Sequence, residues 1–141
     1  YGSDVFTHGI ANASVTDWQF YDTHYTERYM DTPKENPEGY KVTSVMTYTD
    51  RLKGMLRIVH GTSDDNVHMQ NSLVLVNKLQ DLKKHFEFML YPGERHGIGG
   101  NTRAKGEHNR TEAYNFYYQY LLKKPMPEQF WQPMQQQARP F

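Results

Sequence analysis

Three short apolar runs, separated by longer stretches, indicate strands that alternate with helices. The runs cover Val5–Ala11, residues 55–60 and Phe86–Tyr91. Between the second and third runs, apolar residues recur at helical spacing from Val67 to about Lys83, which predicts a helix. Strands that alternate with helices of this length favour an α/β fold with a parallel sheet. Three strands are too few for a sheet that is covered on both faces, so we expect one face to be open.

A stretch rich in aromatic residues follows the first run. Trp18, Tyr21 and Tyr25 are spaced i, i+3 and i+7, which predicts one face of a helix within residues 17–30. Two prolines then predict a loop over residues 31–39.

The last part of the chain divides into a helix and a tail. Asn109–Glu112 has the pattern of a capping box and predicts a helix through Leu122. Its inward positions are predicted to be Ala113, Tyr117, Tyr120 and Leu121. We expect one domain over residues 1–124 and an irregular tail rich in proline and glutamine over 125–141. Aromatic residues are expected to pin that tail to the surface, namely Phe130, Trp131 and Phe141.

Composition narrows the range of functions. The 141 residues can form one domain with a modest core, since 37% are apolar and the mean hydropathy is −0.88. Lys+Arg and Asp+Glu are equal at 16, so neither nucleic acid nor an anionic membrane is an expected partner. No apolar run is long enough to span a membrane, and no signal peptide is visible. The absence of cysteine excludes disulfides and a thiol nucleophile, but it leaves the compartment open.

An acidic loop, His60–His68, connects the second predicted strand to the helix that follows. Residues at the carboxyl end of a strand in an open α/β sheet are placed where ligands bind. Asp64 is therefore a candidate for the acid of a catalytic triad, which would orient a histidine. The alternative is that Asp64, Asp65 and Asn66 cap the following helix, a role that suits these residue types equally.

A histidine follows the third strand, as the acid follows the second. His96 lies in a glycine-rich loop, and an acid followed by a histidine is the closing half of the triad order Ser…Asp…His. The opening half, a serine in Gly-x-Ser-x-Gly, is missing from this chain. The serines present lack that context: Ser3, Ser14, Ser44, Ser63 and Ser72.

His60 and His68 flank the acidic loop and are candidate metal ligands by residue type alone. They lack the i, i+4 spacing of a helical pair and bring no cysteine or compact set of carboxylates. We therefore expect no metal site and no cofactor.

Three motifs together resemble a known family. They are Trp18-x-x-Tyr21-Asp22-Thr23-x-Tyr25-Thr26-Glu27-Arg28-Tyr29-Met30, then His60-Gly61-Thr62-x-Asp64-Asp65-Asn66-Val67-His68, then His96-Gly97-Ile98. In this order and spacing they resemble the dipeptidyl peptidase branch of the prolyl oligopeptidase family of serine peptidases. The resemblance extends from about Phe6 to Leu122 and implies the carboxyl-terminal segment of an α/β-hydrolase fold, with its last parallel strands and flanking helices.

The resemblance implies a role for each site residue. Asp64 and His96 align with the triad aspartate and histidine. Tyr21 also aligns with a contact to the substrate amino terminus, and Asn66 with a donor to a substrate carbonyl. The pocket for a proline ring aligns with Val15, Trp18, Tyr21, Tyr25 and Val67.

By the same resemblance, other family parts lie outside this sequence: the serine elbow, the oxyanion donors and a β-propeller. We therefore expect a segment of an exopeptidase that releases N-terminal Xaa-Pro or Xaa-Ala dipeptides and is inactive alone, because it lacks the nucleophile. The alternatives are a related oligopeptidase or acylaminoacyl-peptidase, or a binding homologue that has lost its nucleophile.

The resemblance further implies a homodimer through the last two helices, roughly residues 68–83 and 109–122. It also implies a bacterial periplasmic or secreted location. Because an incomplete sheet leaves an unpaired strand edge, we expect the isolated segment to fold poorly or to self-associate.

Overall fold

The computed structural model describes residues 5–131. The three strands are β1 (His8–Asn12), β2 (Met55–Gly61) and β3 (Phe86–Tyr91). Four α-helices accompany them: α1 (Thr23–Met30), α2 (Pro37–Thr43), α3 (Gln70–Asp81) and α4 (Arg103–Phe116). Shorter elements are the 3-10 helices Trp18–Phe20, Val45–Arg51 and Glu128–Phe130, and a π-helical turn at Tyr117–Leu122.

The strands form one parallel sheet in the order β1-β2-β3. Ile58 in the central strand pairs with Ala11 of β1 and Phe88 of β3. The predicted bounds of β3 are confirmed, whereas β1 begins later than predicted. Val5 and Phe6 are 80% and 84% exposed and lie outside the strand, because the pairing begins only at His8 opposite Met55.

Both faces of the sheet are covered, which corrects the expectation of an open face. On one face, Ile58 packs against Leu75 and Leu79 of α3 to form the buried core. The neighbouring residue of β2, Arg57, points to the opposite face, since side chains alternate along a strand. There its guanidinium lies 3.9 Å from Glu112 of α4, so α4 covers the second face.

The segment between β1 and β2 is more helical than predicted. The predicted helix within residues 17–30 is interrupted at Tyr21 and Asp22, where a 3-10 turn ends and α1 begins. The predicted loop over 31–39 ends early, because α2 begins at Pro37. Proline is favourable at a first helical position, and the Asn36 side chain accepts a hydrogen bond from the Gly39 N–H.

The final helix begins earlier than its predicted capping box. It starts at Arg103, so Asn109–Glu112 lies inside α4 and caps nothing. The predicted inward face is also wrong in part, because Tyr117 and Leu121 are exposed while Phe116 is buried. The π-helical turn shifts these positions around the axis by changing the repeat after Phe116.

Part of the tail contacts the helix before it. The Phe130 ring lies 5.4 Å from the Tyr114 ring and 6.1 Å from the Tyr118 ring. The expected anchor at Phe141 lies outside the described residues. Within residues 5–131, none of the helices has the length and apolar character needed to cross a bilayer.

Candidate active site

The acidic loop after β2 and the glycine-rich loop after β3 lie side by side and are joined through their backbones. The Thr62 N–H donates to the Tyr91 carbonyl at 3.1 Å, and the Ser63 N–H donates to the Glu94 carbonyl at 3.0 Å. The Thr62 hydroxyl accepts from the Gly93 N–H at 2.9 Å. These bonds fix the two loops relative to each other without any contribution from the Asp64 and His96 side chains.

Asp64 and His96 are in hydrogen-bond contact across this pair of loops. The Asp64 Oδ2 atom lies 3.0 Å from Nδ1 of His96. The other carboxylate oxygen, Oδ1, accepts from the Asn66 and Val67 N–H groups, each at 3.0 Å. One carboxylate therefore holds its own loop in a turn with one oxygen and meets the histidine with the other.

The alternative role of these residues as a helix cap is wrong. Helix α3 begins at Gln70, and its cap residue Met69 makes no side-chain capping bond. The turn that Asp64 closes ends at Val67, before the helix begins.

Burial differs sharply between the two partners. The Asp64 side chain is 0% exposed, whereas the His96 side chain is 48% exposed. Because a carboxylate accepts, Nδ1 of His96 carries the proton and the neutral ring keeps Nε2 as an acceptor. A histidine in this tautomer, buried on one edge and open on the other, can take a proton from a neighbouring nucleophile.

His60 supports the carboxylate from inside the fold. Its Nε2 donates to the Val67 carbonyl at 2.8 Å and lies 3.3 Å from Oδ2 of Asp64. Its Nδ1 then accepts from the Ser72 hydroxyl at 2.7 Å. We did not predict this role. The sequence signal was the alternation Leu56, Ile58, His60, which places the histidine on the face toward α3.

Asp65 and His68, within and directly after the turn that Asp64 closes, are on the surface. Asp65 pairs with Arg95 at 3.1 Å, and both side chains are about two-thirds exposed, at 65% and 66%. His68 is also exposed. Within the part of the chain that the structure describes, no three histidine, cysteine, aspartate or glutamate side chains are grouped to hold a metal ion.

The three predicted pocket rings form one aromatic cluster. Trp18 lies 6.0 Å from Tyr21 edge to face, and 6.4 Å from Tyr25 at an interplanar angle of 27°. The Tyr21 and Tyr25 rings are 5.6 Å apart. The Tyr21 hydroxyl donates to the Asn66 side-chain oxygen at 2.9 Å, which ties the cluster to the acidic loop.

The two predicted pocket valines are placed differently from each other. Val15 is partly buried in the loop after β1. Helix α3 anchors this loop, because the Asn71 side-chain oxygen accepts from the Thr16 N–H at 3.0 Å. Val67 is only 4% exposed. It therefore offers the site its backbone groups, which bond Asp64 and His60, more than a side-chain surface.

Comparisons with known proteins agree with the motifs. A family model described as the prolyl oligopeptidase family matches residues 2–124. Relatives include a probable dipeptidyl-aminopeptidase B from Aspergillus fumigatus, 41% identical over 96% of this chain and 16% of that protein. A dipeptidyl-aminopeptidase B from Aspergillus niger is 44% identical over 78% of this chain and 12% of its own length. The chain thus spans only a small fraction of the relatives it matches.

A solved structure has the same fold over this segment. Porphyromonas gingivalis dipeptidyl peptidase 4 superposes with a TM-score of 0.76 at 44% identity, covering 82% of this chain and 16% of that one. The predicted α/β-hydrolase segment and the predicted family are both confirmed. Because the family model matches most of its length, this chain belongs to the prolyl oligopeptidase family.

Proposed function

We propose that this chain is the carboxyl-terminal segment of the catalytic domain of a serine exopeptidase. The full enzyme would release dipeptides from the amino termini of peptides whose second residue is proline or alanine. In it, a serine from elsewhere in the protein attacks the peptide carbonyl. His96 acts first as general base and then as general acid, while Asp64 holds its tautomer and stabilises the imidazolium.

The observation that carries this proposal is the bond from the half-exposed His96 to the buried Asp64. Burying a carboxylate costs free energy. A half-exposed histidine does not need a fully buried carboxylate beside it for the stability of the fold. The pair is useful when the open edge of the ring must accept and return a proton.

Substrate selection is assigned to the aromatic cluster. Trp18 and Tyr25 offer flat ring faces, against which a five-membered ring packs closely. Asn66 accepts from Tyr21 through its oxygen, which leaves its amide N–H groups to donate to a substrate carbonyl. Tyr21 is the proposed contact to the substrate amino terminus.

The test uses the full-length protein and a Gly-Pro amide reporter with a free amino terminus. We expect release of the reporter group and its loss after treatment with a serine-directed inhibitor. Preference for the same reporter with a blocked amino terminus would support the oligopeptidase alternative. No hydrolysis of either reporter would support a binding homologue and contradict the proposal.

Removing the Trp18 ring is expected to reduce selection of proline over alanine. The proline ring buries more methylene carbon than alanine, worth about 0.8 kcal/mol per group. Trp18→Ala should therefore lower the ratio of kcat/KM values for Gly-Pro and Gly-Ala reporters by about 10-fold. The matched control is Trp131→Ala, at the chain's other tryptophan, and an equal change in both variants would contradict the pocket assignment.

We also propose that the full protein forms a homodimer through the helices that follow β2 and β3. The π-helical turn presents an apolar surface, in which Leu121 and Leu122 are each 51% exposed. Burying one leucine against a partner contributes about 1.5–3 kcal/mol, so Leu121→Ser should weaken association by about 10-fold or more. Sedimentation over a concentration series measures this. Val42→Ser, on the exposed surface of α2, is the control, and equal effects would contradict the interface.

A further inference from the structure

Glu94 is fully buried two residues before His96, and its carboxylate closes the loop that carries the histidine. The side chain points back into the loop, where Oε2 accepts the Gly99 N–H at 2.9 Å and the Asn101 N–H at 3.3 Å. The residue is 0% exposed. His96 therefore lies within a backbone loop, residues 94–101, that the Glu94 carboxylate closes.

The backbone of Glu94 connects this closed loop to the rest of the site. Its carbonyl accepts from the Ser63 N–H, immediately before Asp64, at 3.0 Å. Its N–H donates to the Tyr91 carbonyl at the end of β3, at 3.2 Å. Glu94 is thus bonded to the acidic loop, to the strand end and to the far side of its own loop.

The Glu94 carboxylate is held in its charged form. Burial alone would raise its pKa, but the N–H groups of Gly99 and Asn101, the Thr102 hydroxyl and the nearby Lys105 charge act in the opposite direction. Together they outweigh burial, so the pKa of Glu94 lies below its ordinary value. At neutral pH, a full negative charge receives the two loop N–H groups, and such bonds are stronger than those between neutral groups.

Other contacts also support the loop. The Asn101 side chain donates to the Gly93 carbonyl at 2.7 Å, the Gly100 N–H donates to the Gly97 carbonyl at 3.1 Å, and Gly99 packs against α4. None of them spans the loop from the Glu94 side chain to the Gly99 N–H, as the Glu94 carboxylate does.

Gly97 follows His96 directly, and a Cβ built there would have no neighbouring atom within 4 Å beyond the adjoining residues. Gly99 has a positive φ of 98°, a conformation that glycine adopts readily, and Gly100 follows it. A segment so rich in glycine has many accessible conformations unless a fixed group selects one.

We propose that Glu94 is a positioning residue for the reaction: its buried carboxylate closes the loop over residues 94–101 and thereby holds His96 against Asp64. This inference rests on the proposed function of His96. Glu94 does not touch the substrate, and it acts only through the placement of the imidazole. Misplacement of a reacting group by about 1 Å can cost about 100-fold in rate.

The test compares Glu94→Ala with Glu94→Gln in the full-length protein, with kcat expressed per titrated active site. The alanine variant should lose about 100-fold in kcat with KM within about twofold. The glutamine variant keeps an oxygen for both N–H groups, so it should recover to within about fivefold of the original enzyme. Glu38→Gln, at an exposed carboxylate on α2, is the control.

Two kinetic outcomes would overturn the inference. One is an alanine variant with unchanged kcat per active site and only a lower melting temperature, which would indicate a structural role. The other is equal damage from glutamine and alanine, which would exclude the acceptor oxygen as the cause.

Hydrogen exchange over residues 94–101 of the full-length protein gives a readout that does not depend on activity. Glu94→Ala should speed exchange at Gly99 and Asn101 by about 10-fold or more, and unchanged exchange would overturn the inference. If the unaltered protein fails to hydrolyse the reporter, the proposed function fails. The exchange result then decides separately whether Glu94 closes the loop.

Discussion

Replacing Asp64 with asparagine in the full-length enzyme should lower kcat by about four orders of magnitude. The reason lies in how the surrounding backbone would orient the new amide. The Asn66 and Val67 N–H groups donate to the position of Oδ1, so the amide oxygen has to occupy it. The amide NH₂ is then placed where Oδ2 faces His96.

A donor at that position selects the wrong histidine tautomer. Nδ1 of His96 has to accept from the NH₂ group, so the ring proton moves to Nε2, which can no longer take a proton from serine. His60 adds to the effect, because its Nε2–H group lies 3.3 Å from the same position and would face a second donor. The variant keeps its shape and its bonds to the loop N–H groups, so the loss of stability should be limited to the buried donor–donor contact with His60, about 1–3 kcal/mol.

The neighbouring acid provides a matched control. Asp65→Asn removes an exposed ion pair with Arg95, and exposed pairs contribute about 0–1 kcal/mol. Its kcat should stay within a few-fold of the original value. The measurement is steady-state hydrolysis of the Gly-Pro reporter, with kcat expressed per titrated active site, alongside thermal melting. Equal losses from both variants would contradict the assignment of Asp64.

The placement of Asp64 and His96 could be predicted because it depends on strand ends. Short apolar runs mark β2 and β3, and Pro92-Gly93 marks where the second of them stops. Residues that follow neighbouring parallel strands meet at one edge of the sheet, whatever the connecting helices do. Errors in the bounds of those helices therefore did not affect the pair.

The aromatic cluster was predicted for a reason that is only partly right. The rings do meet, but through a 3-10 turn and a separate helix rather than one continuous helical face. Two aspartates carry the missed signal: Asp17 accepts from the Gln19 N–H, and Asp22 accepts from the Tyr25 N–H. Each caps a new element, which is the role such residues favour.

The start of α4 could not be predicted because it depends on a contact between distant segments. Thr102 makes no side-chain capping bond, so the usual signal is absent. Gly106 suggests a break in a helix by composition, yet it lies inside α4. A Cβ built on Gly99 would lie 2.7 Å from the Gly106 Cα. Glycine at both positions therefore lets the histidine loop pack directly against the backbone of α4. Such a contact leaves no periodic pattern in the sequence.

A methyl group at Gly61 is expected to separate the two halves of the site. Gly61 ends β2, and a Cβ at this position would overlap the backbone carbonyl oxygens of Glu94 and Arg95. Both obstacles are main chain, which cannot rotate away as a side chain can. Gly61→Ala should therefore displace the histidine loop from Asp64, lower kcat about 100-fold or more and cost about 1–3 kcal/mol of stability.

The matched control is an alanine in the neighbouring strand. Gly9 lies in β1, where an added Cβ would meet only the Leu56 side chain at 4.0 Å, an ordinary contact. Gly9→Ala should leave kcat per titrated site within about twofold, as measured with the Gly-Pro reporter. If Gly61→Ala behaves like Gly9→Ala, the two loops are not held in contact in solution. If instead Gly61→Ala loses kcat while KM is retained, the close approach at Gly61 is what brings Asp64 and His96 together, because the pocket rings lie on other elements.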